Sequence, residues 1–155
     1  MLPEINSNSF HKDESMSQNP QQAPVAFISV SYKNRQNVDN AIKKIISVLD
    51  DFGIKVNVFV DNYTFQQNEE DEMMKASCRD IAQSDFVIAE ASHKAVGLGV
   101  EVGYAVGLGK PVIYLRQENS EHSTTVAGIS TYKIIYKTAD DMDKQLREIL
   151  QEIAG

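Results

Sequence analysis

The chain has one cysteine, Cys78, so no internal disulfide can form, which fits a reducing compartment and leads us to expect a cytoplasmic protein. Cys78 sits in a helical stretch without a nucleophile motif around it and reads as an ordinary helix residue. Three scattered histidines, His11, His93 and His122, give no zinc spacing with that single thiol. No apolar run reaches membrane-spanning length, and the opening MLPEINSNSFHKDESMSQNPQQAP has no apolar core of a signal peptide, so neither a span nor a leader is expected. Basic charge is also scarce. Fifteen Lys and Arg against 22 Asp and Glu give a formal charge of −7, which argues against binding a nucleic-acid polymer. A small anionic ligand needs only a few local donors and stays open. No internal repeat is visible, and neither a metal nor a cofactor is expected.

What remains is an ordinary soluble composition, 42% hydrophobic and 24% charged, in 155 residues, enough for one domain with a substantial core. Residues 1–23 are rich in Ser, Asn and Gln and poor in aliphatics, and are expected to be a disordered tail; residues 24–155 form the domain. Val25–Ser31 is an apolar run suited to a buried strand. Arg35–Phe52 has helical spacing through Val38, Ile42, Ile45, Leu49 and Phe52 and is closed by Gly53. Strands are expected at Ile54–Val60, Asp85–Glu90, Pro111–Leu115 and Tyr132–Tyr136. The acidic run Glu69–Glu72 suits a helix N-terminus better than a metal site. Thr138 caps a last helix whose apolar side is Met142, Leu146, Ile149 and Ile153. Strands alternating with helices predict an α/β, flavodoxin-like three-layer domain with a five-stranded parallel sheet. Ligands in such sheets bind beyond the carboxyl ends of the strands where strand order switches, here between the first and third, so the loops after Ser31 and Glu90 should line the site.

Val96–Leu115, VGLGVEVGYAVGLGKPVIYL, is the most informative segment. It places one acid, Glu101, in what reads as the first turn of a glycine-opened helix just after a buried strand. Desolvating a carboxylate costs free energy unless something pairs with it or uses it. Glu101 is therefore either a surface carboxylate favoured by the helix dipole or a site residue. The glycines follow a G-x-G-x-x-x-G spacing through Gly97, Gly99 and Gly103, one residue longer than the dinucleotide fingerprint and after the wrong strand, which argues against a nicotinamide or flavin. Gly97 and Gly99 can bring backbone N–H groups to an anionic or sugar ligand. Gly103, Ala105 and Gly107 read as positions of close approach to the sheet or to a neighbouring subunit.

The same segment resembles the signature of the nucleoside 2-deoxyribosyltransferase superfamily, G-x-G-[YM]-E-L-G-x-A, which also contains nucleoside 5′-phosphate N-hydrolases. Phe27–Asn37, FISVSYKNRQN, is similar in register to that family's first strand and loop. The resemblance spans about residues 24–130 and implies that Glu101 attacks the anomeric carbon of a nucleoside, with retaining-glycosidase logic. It also implies a homodimer or larger homo-oligomer with sites shared between subunits, and a small nucleoside or nucleotide as ligand.

Three positions depart from the family pattern. Ala26 stands where the family has a first-strand Tyr, Ala95 where many members have Asp or Ser, and Ser77 at or near the family's helix Asp by the nucleobase. Tyr32, Glu90, Ser92 and His93 are candidates to substitute, His93 also as a proton donor to a leaving base. In His122–Gly128, Ser123 matches a phosphate-contacting serine of the hydrolase branch, and Ser29, Ser31, Lys33 and Arg35 can add donors to a phosphate. The expected activity is cleavage of the N-glycosidic bond of a (deoxy)nucleoside or its 5′-monophosphate, leaning to nucleotide hydrolysis. The alternatives are a nucleotide-binding protein that has lost catalysis and a glycohydrolase acting on NAD.

Overall fold

The computed structural model describes residues 22–154. Residues 1–21 of the expected disordered tail lie outside the described residues. Five strands, β1 (Val25–Val30), β2 (Lys55–Val58), β3 (Phe86–Glu90), β4 (Val112–Gln117) and β5 (Tyr132–Tyr136), form one sheet in the order β2-β1-β3-β4-β5, every pair parallel. The order reverses between β1 and β3, as the sequence leads one to expect. The protein is a flavodoxin-like three-layer α/β domain.

Burial explains the strand order. The central β3, Phe-Val-Ile-Ala-Glu, is buried at every position, because helices cover both faces of a parallel sheet. On one face Ala26, Ile28, Phe86, Ile88, Ile113 and Ile134 meet α1 (Asp39–Asp51) and α6 (Ala139–Ala154). On the other face Phe27, Val87, Ala89, Val112 and Tyr114 meet α3 (Glu70–Ala82), α4 (Val96–Gly107) and the short α5 (Thr124–Ile129). Helix ends follow local rules. Gly53, at φ +69°, ends α1 with its N–H on Asp50 O and that of Ile54 on Leu49 O. Thr138 Oγ1 accepts the Asp141 N–H while Asp141 Oδ2 accepts that of Lys137, a reciprocal cap of α6.

Several boundaries differ from those expected. Arg35–Val38 is a 3-10 turn, and the α-helix starts only at Asp39. The second strand stops at Val58, because Phe59 turns inward into a one-turn helix, α2 (Phe59–Asn62), and stacks on Phe27 at 5.7 Å. β4 runs two residues further, to Gln117, since Arg116 and Gln117 still pair with Ile135 and Tyr136. α5 was not anticipated. Gly103 and Gly107 do not pack on the sheet: a Cβ at either would meet nothing within 4 Å, and of that trio only Ala105 is buried.

One acid braces the carboxyl end of the sheet. Glu90, 1% exposed at the end of β3, accepts the Ser92 N–H on Oε1 (2.7 Å) and the Tyr136 O–H on Oε2 (2.5 Å). Ser92 Oγ in turn accepts the Gln117 N–H, so the ends of β3, β4 and β5 are tied together. Burial raises the Glu90 pKa, and the bonds from Ser92 and Tyr136 partly oppose this. The folded state thus holds the Glu90 proton more tightly than the unfolded chain, and this acid costs stability as pH rises. Tyr136→Phe removes a donor that the ionised form needs most. Urea unfolding should show a loss of about 1–3 kcal/mol at pH 8 and a smaller loss at pH 5; equal losses at both would contradict the brace.

Candidate active site

α4 opens at Val96 after Ala95, an extended N-cap without a side-chain bond, so Glu101 lies in the second helical turn rather than the first. There the helix terminus does little for it. Its half-buried side chain points between β1 and α3. Glu101 Oε1 accepts the Ser29 hydroxyl (3.1 Å) and Oε2 accepts the Ser77 hydroxyl (3.2 Å). Both serines are buried, at 1% and 2% exposure. Desolvation pushes the Glu101 pKa up to about 7 against the two hydroxyl bonds, and no cation contributes. Such a carboxylate is half ionised near neutrality and, once ionised, is poorly solvated, which favours nucleophilic or proton-transfer chemistry.

Ser29 stands two residues after Phe27 on β1 and points to the same face of the sheet. Ser77 comes from α3, on the helix side that also buries Ala76 and Ile81. Sequence reasoning counted Ser77 as a loss, an Asp replaced. The structure gives it a contact with Glu101. The available signal was a lone serine within an apolar helix stripe.

The β3–α4 loop separates two cavities beyond the strand ends. One, of about 350 Å³, is lined by His93, Lys94, Ala95, Leu98, Gly99, Ser123, Thr125 and neighbouring apolar groups, with no acid among them. Leu98 and Gly99 belong to the α4 turn before Glu101, though Glu101 itself is not part of the lining. The other, of about 490 Å³, is bounded by Asn34, Ser92, His93, Lys94 and the β4–α5 loop. His93 reaches both, and its Nδ1 is enclosed without a hydrogen-bond partner. Lys94 and Thr125 are lining groups that the sequence reading did not single out.

The remaining candidates are distributed differently. Ser31 is buried and accepts the Asn34 amide, away from Glu101. Tyr32 is 78% exposed and does not stand in for the family's first-strand tyrosine; Ala26 lies in the core on the opposite face of the sheet. Glu90 and Ser92 are committed to the brace at the strand ends. Arg35 spends its guanidinium on Asp61, through Nε and Nη2 at 2.9 Å each, and on Asp39 at 3.1 Å, so it ties its 3-10 turn to α2 and to the start of α1 instead of pointing free donors at a ligand. A Cβ at Gly97 or Gly99 would meet nothing within 4 Å, leaving both backbones open to approach. Ser123 precedes α5 and shares the smaller cavity with Thr125. His122 instead meets the Tyr114 hydroxyl at 3.2 Å. Among the described residues no cluster of three or more His, Cys, Asp or Glu is placed to hold a metal ion, and no helix is long and apolar enough to cross a membrane.

The family described as nucleoside 2-deoxyribosyltransferase matches residues 28–150. A Thermofilum pendens protein provisionally named 2′-deoxynucleoside 5′-phosphate N-hydrolase 1 is 27% identical over 86 residues, 54% of this chain. That match spans only 60% of the relative's length. The fold is similar to a Clostridium botulinum CMP N-glycosidase (TM-score 0.59, 20% identity, 79% of this chain and 97% of that one). It is also similar to a 2-deoxyribosyltransferase of Bacillus psychrosaccharolyticus (TM-score 0.61, 17% identity, 77% and 90%). The chain, matched from β1 through α6, belongs to the nucleoside 2-deoxyribosyltransferase family.

Proposed function

We propose that this protein cleaves the N-glycosidic bond of a nucleoside 5′-monophosphate, with Glu101 as the nucleophile. The observation that carries the reading is the half-buried, cation-free Glu101 carboxylate between the Ser29 and Ser77 hydroxyls, one helical turn from a cavity at the start of α4. A Glu101 oxygen attacks C1′ as the bond from C1′ to the base nitrogen breaks, and the base leaves with the electron pair and takes up a proton. Water then attacks C1′ of the glycosyl ester, frees the sugar phosphate and restores the carboxylate. His93, with its enclosed and unpartnered Nδ1, is the candidate to supply the proton or to meet the substrate.

The lean to a phosphorylated substrate rests on the smaller cavity. In a chain of net charge −7 its lining has Lys94, His93, Ser123 and Thr125 and no carboxylate, next to the first N–H groups of α4. The names of the Thermofilum and Clostridium proteins, which refer to nucleotides, point the same way.

We also propose that the chain works as a homo-oligomer through the outer face of α4. Val96, Val100 and Tyr104 are 87%, 48% and 37% exposed, and beside them Gly103 and Gly107 leave room for a second backbone. Light scattering should give a dimer or larger, and Tyr104→Asp should give a monomer. A monomeric unmodified protein contradicts this.

Release of free base from deoxynucleosides, their 5′-monophosphates and NAD should be greatest with a monophosphate and should fall at least a thousandfold in Glu101→Ala. Release only from NAD would select a NAD glycohydrolase. No release, with thermal stabilisation by a nucleotide, would select a binding protein. Because the nucleophile must be ionised and its pKa is about 7, kcat/KM should rise about tenfold per pH unit up to 7 and then level off.

Stability should run the other way. The folded pKa is above the ordinary 4.5, so the favourable contribution of protonated Glu101 is complete below about 4.5 and lost by about 7. Glu101→Gln should therefore gain on the unmodified protein between those limits, by at most about 3 kcal/mol in chemical unfolding. A gap that does not widen with pH would contradict the burial of an ionisable group there.

A further inference from the structure

Asp80 has no part in the chemistry just described, yet it is a buried acid, 8% exposed, one turn beyond Ser77 on α3. Its Oδ2 accepts the Asn57 amide of β2 (3.0 Å) and the Tyr63 hydroxyl (2.9 Å). Its Oδ1 accepts two N–H groups of Arg79, each at 3.2 Å. Arg79 also donates to the Tyr63 hydroxyl at 3.0 Å, and Asn62 donates to Asn57 at 2.6 Å. A carboxylate suits this position, since its two oxygens accept all four of these bonds; an amide would offer one oxygen and two competing donors.

The contacts close a ring. Asn57 lies opposite Phe27 in the β1–β2 register, and Ser29 follows Phe27 on the same face of β1. From Ser29 the ring passes to Glu101, from Glu101 to Ser77, along one turn of α3 to Asp80, and back to the sheet through Asn57. Asp80 bonds α3 directly to the edge strand through Asn57, and with Arg79 it also holds Tyr63, which sets the height and rotation of α3 on this side. The Ser77 bond to Glu101, at 3.2 Å, is near the upper end of useful length, so a small displacement of α3 breaks it.

We propose that Asp80, with Tyr63 and Asn57, is a positioning residue for Glu101: it holds α3 where Ser77 can donate to the reactive carboxylate. This rests on the assignment of Glu101 above but extends it to a residue that touches neither Glu101 nor the cavities. Among the described residues, Ser29 from β1 and Ser77 from α3 are the groups bonded to the Glu101 carboxylate, and no charged side chain pairs with it. Loss of either hydroxyl bond therefore registers directly in its titration.

The test is the titration of Glu101 in the full chain, followed by carbon-13 NMR of labelled glutamate side chains, with the Glu101 signal identified by its absence from Glu101→Gln. It needs no turnover, so it stands even if the proposed reaction fails. Ser77→Ala should raise the Glu101 midpoint by about one pH unit, the loss of one bond to a charged acceptor. Asp80→Asn should raise it in the same direction. The double variant should match Ser77→Ala alone, because both remove the same bond. Should Asp80→Asn not fold, Tyr63→Phe, which removes one donor to Oδ2, should give a smaller rise that also vanishes in the Ser77→Ala background. A Glu101 midpoint unmoved by Asp80→Asn or by Tyr63→Phe, or shifts that add to that of Ser77→Ala, overturns the proposal.

Discussion

Taking a carboxylate out of water without a cation costs several kcal/mol unless hydrogen bonds replace its hydration. Glu101 meets that condition with two serine hydroxyls from opposite walls, one on the sheet and one on α3. Two neutral donors compensate only in part, and the residue titrates near 7 as a result. An Arg or Lys at that spot would hold the acid ionised and quench it as a nucleophile. Two hydroxyls hold it in place without a neutralising charge. The positions of β1, α3 and α4 matter to the site chiefly because they bring three side chains to one point.

Among the described residues, two buried acids, Glu90 and Asp80, and the half-buried Glu101 illustrate how environment assigns role. Glu90 is bound by an amide N–H and a tyrosine and braces strand ends. Asp80 takes four bonds, two of them from an arginine, and anchors a helix to the sheet. Glu101 also has two donors, both serine hydroxyls, and burial outweighs them in its pKa. The acid with the most partners is structural; Glu90 and Glu101 have two donors each and differ in place, Glu90 tying strand ends together and Glu101 lying one helical turn from a cavity.

Much of this was legible in the sequence. The five strands and the switch between β1 and β3 follow from apolar runs and turn residues, and one charge among glycines singles out Glu101. The short helices α2 and α5 were not legible, because four or six residues carry too little periodicity to register and are set by tertiary contacts such as Phe59 on Phe27. The partners of Glu101 were half legible. Ser29 was singled out, but as a phosphate donor. Ser77 was named only as a departure from the family pattern, since nothing in a linear spacing of 24 residues says that two side chains meet. Arg35 looked like a free cation until Asp61 and Asp39 were seen around it.

The central claim is that Glu101 forms a covalent bond to the sugar. Its most direct test is acid quenching during turnover of a nucleoside 5′-monophosphate, followed by peptide mapping by mass spectrometry. The account predicts a phosphoribosyl or phosphodeoxyribosyl increment on the peptide that contains Glu101, at that residue and nowhere else. Sustained base release with Glu101 unmodified and the sugar phosphate formed with inverted configuration at C1′ would contradict it.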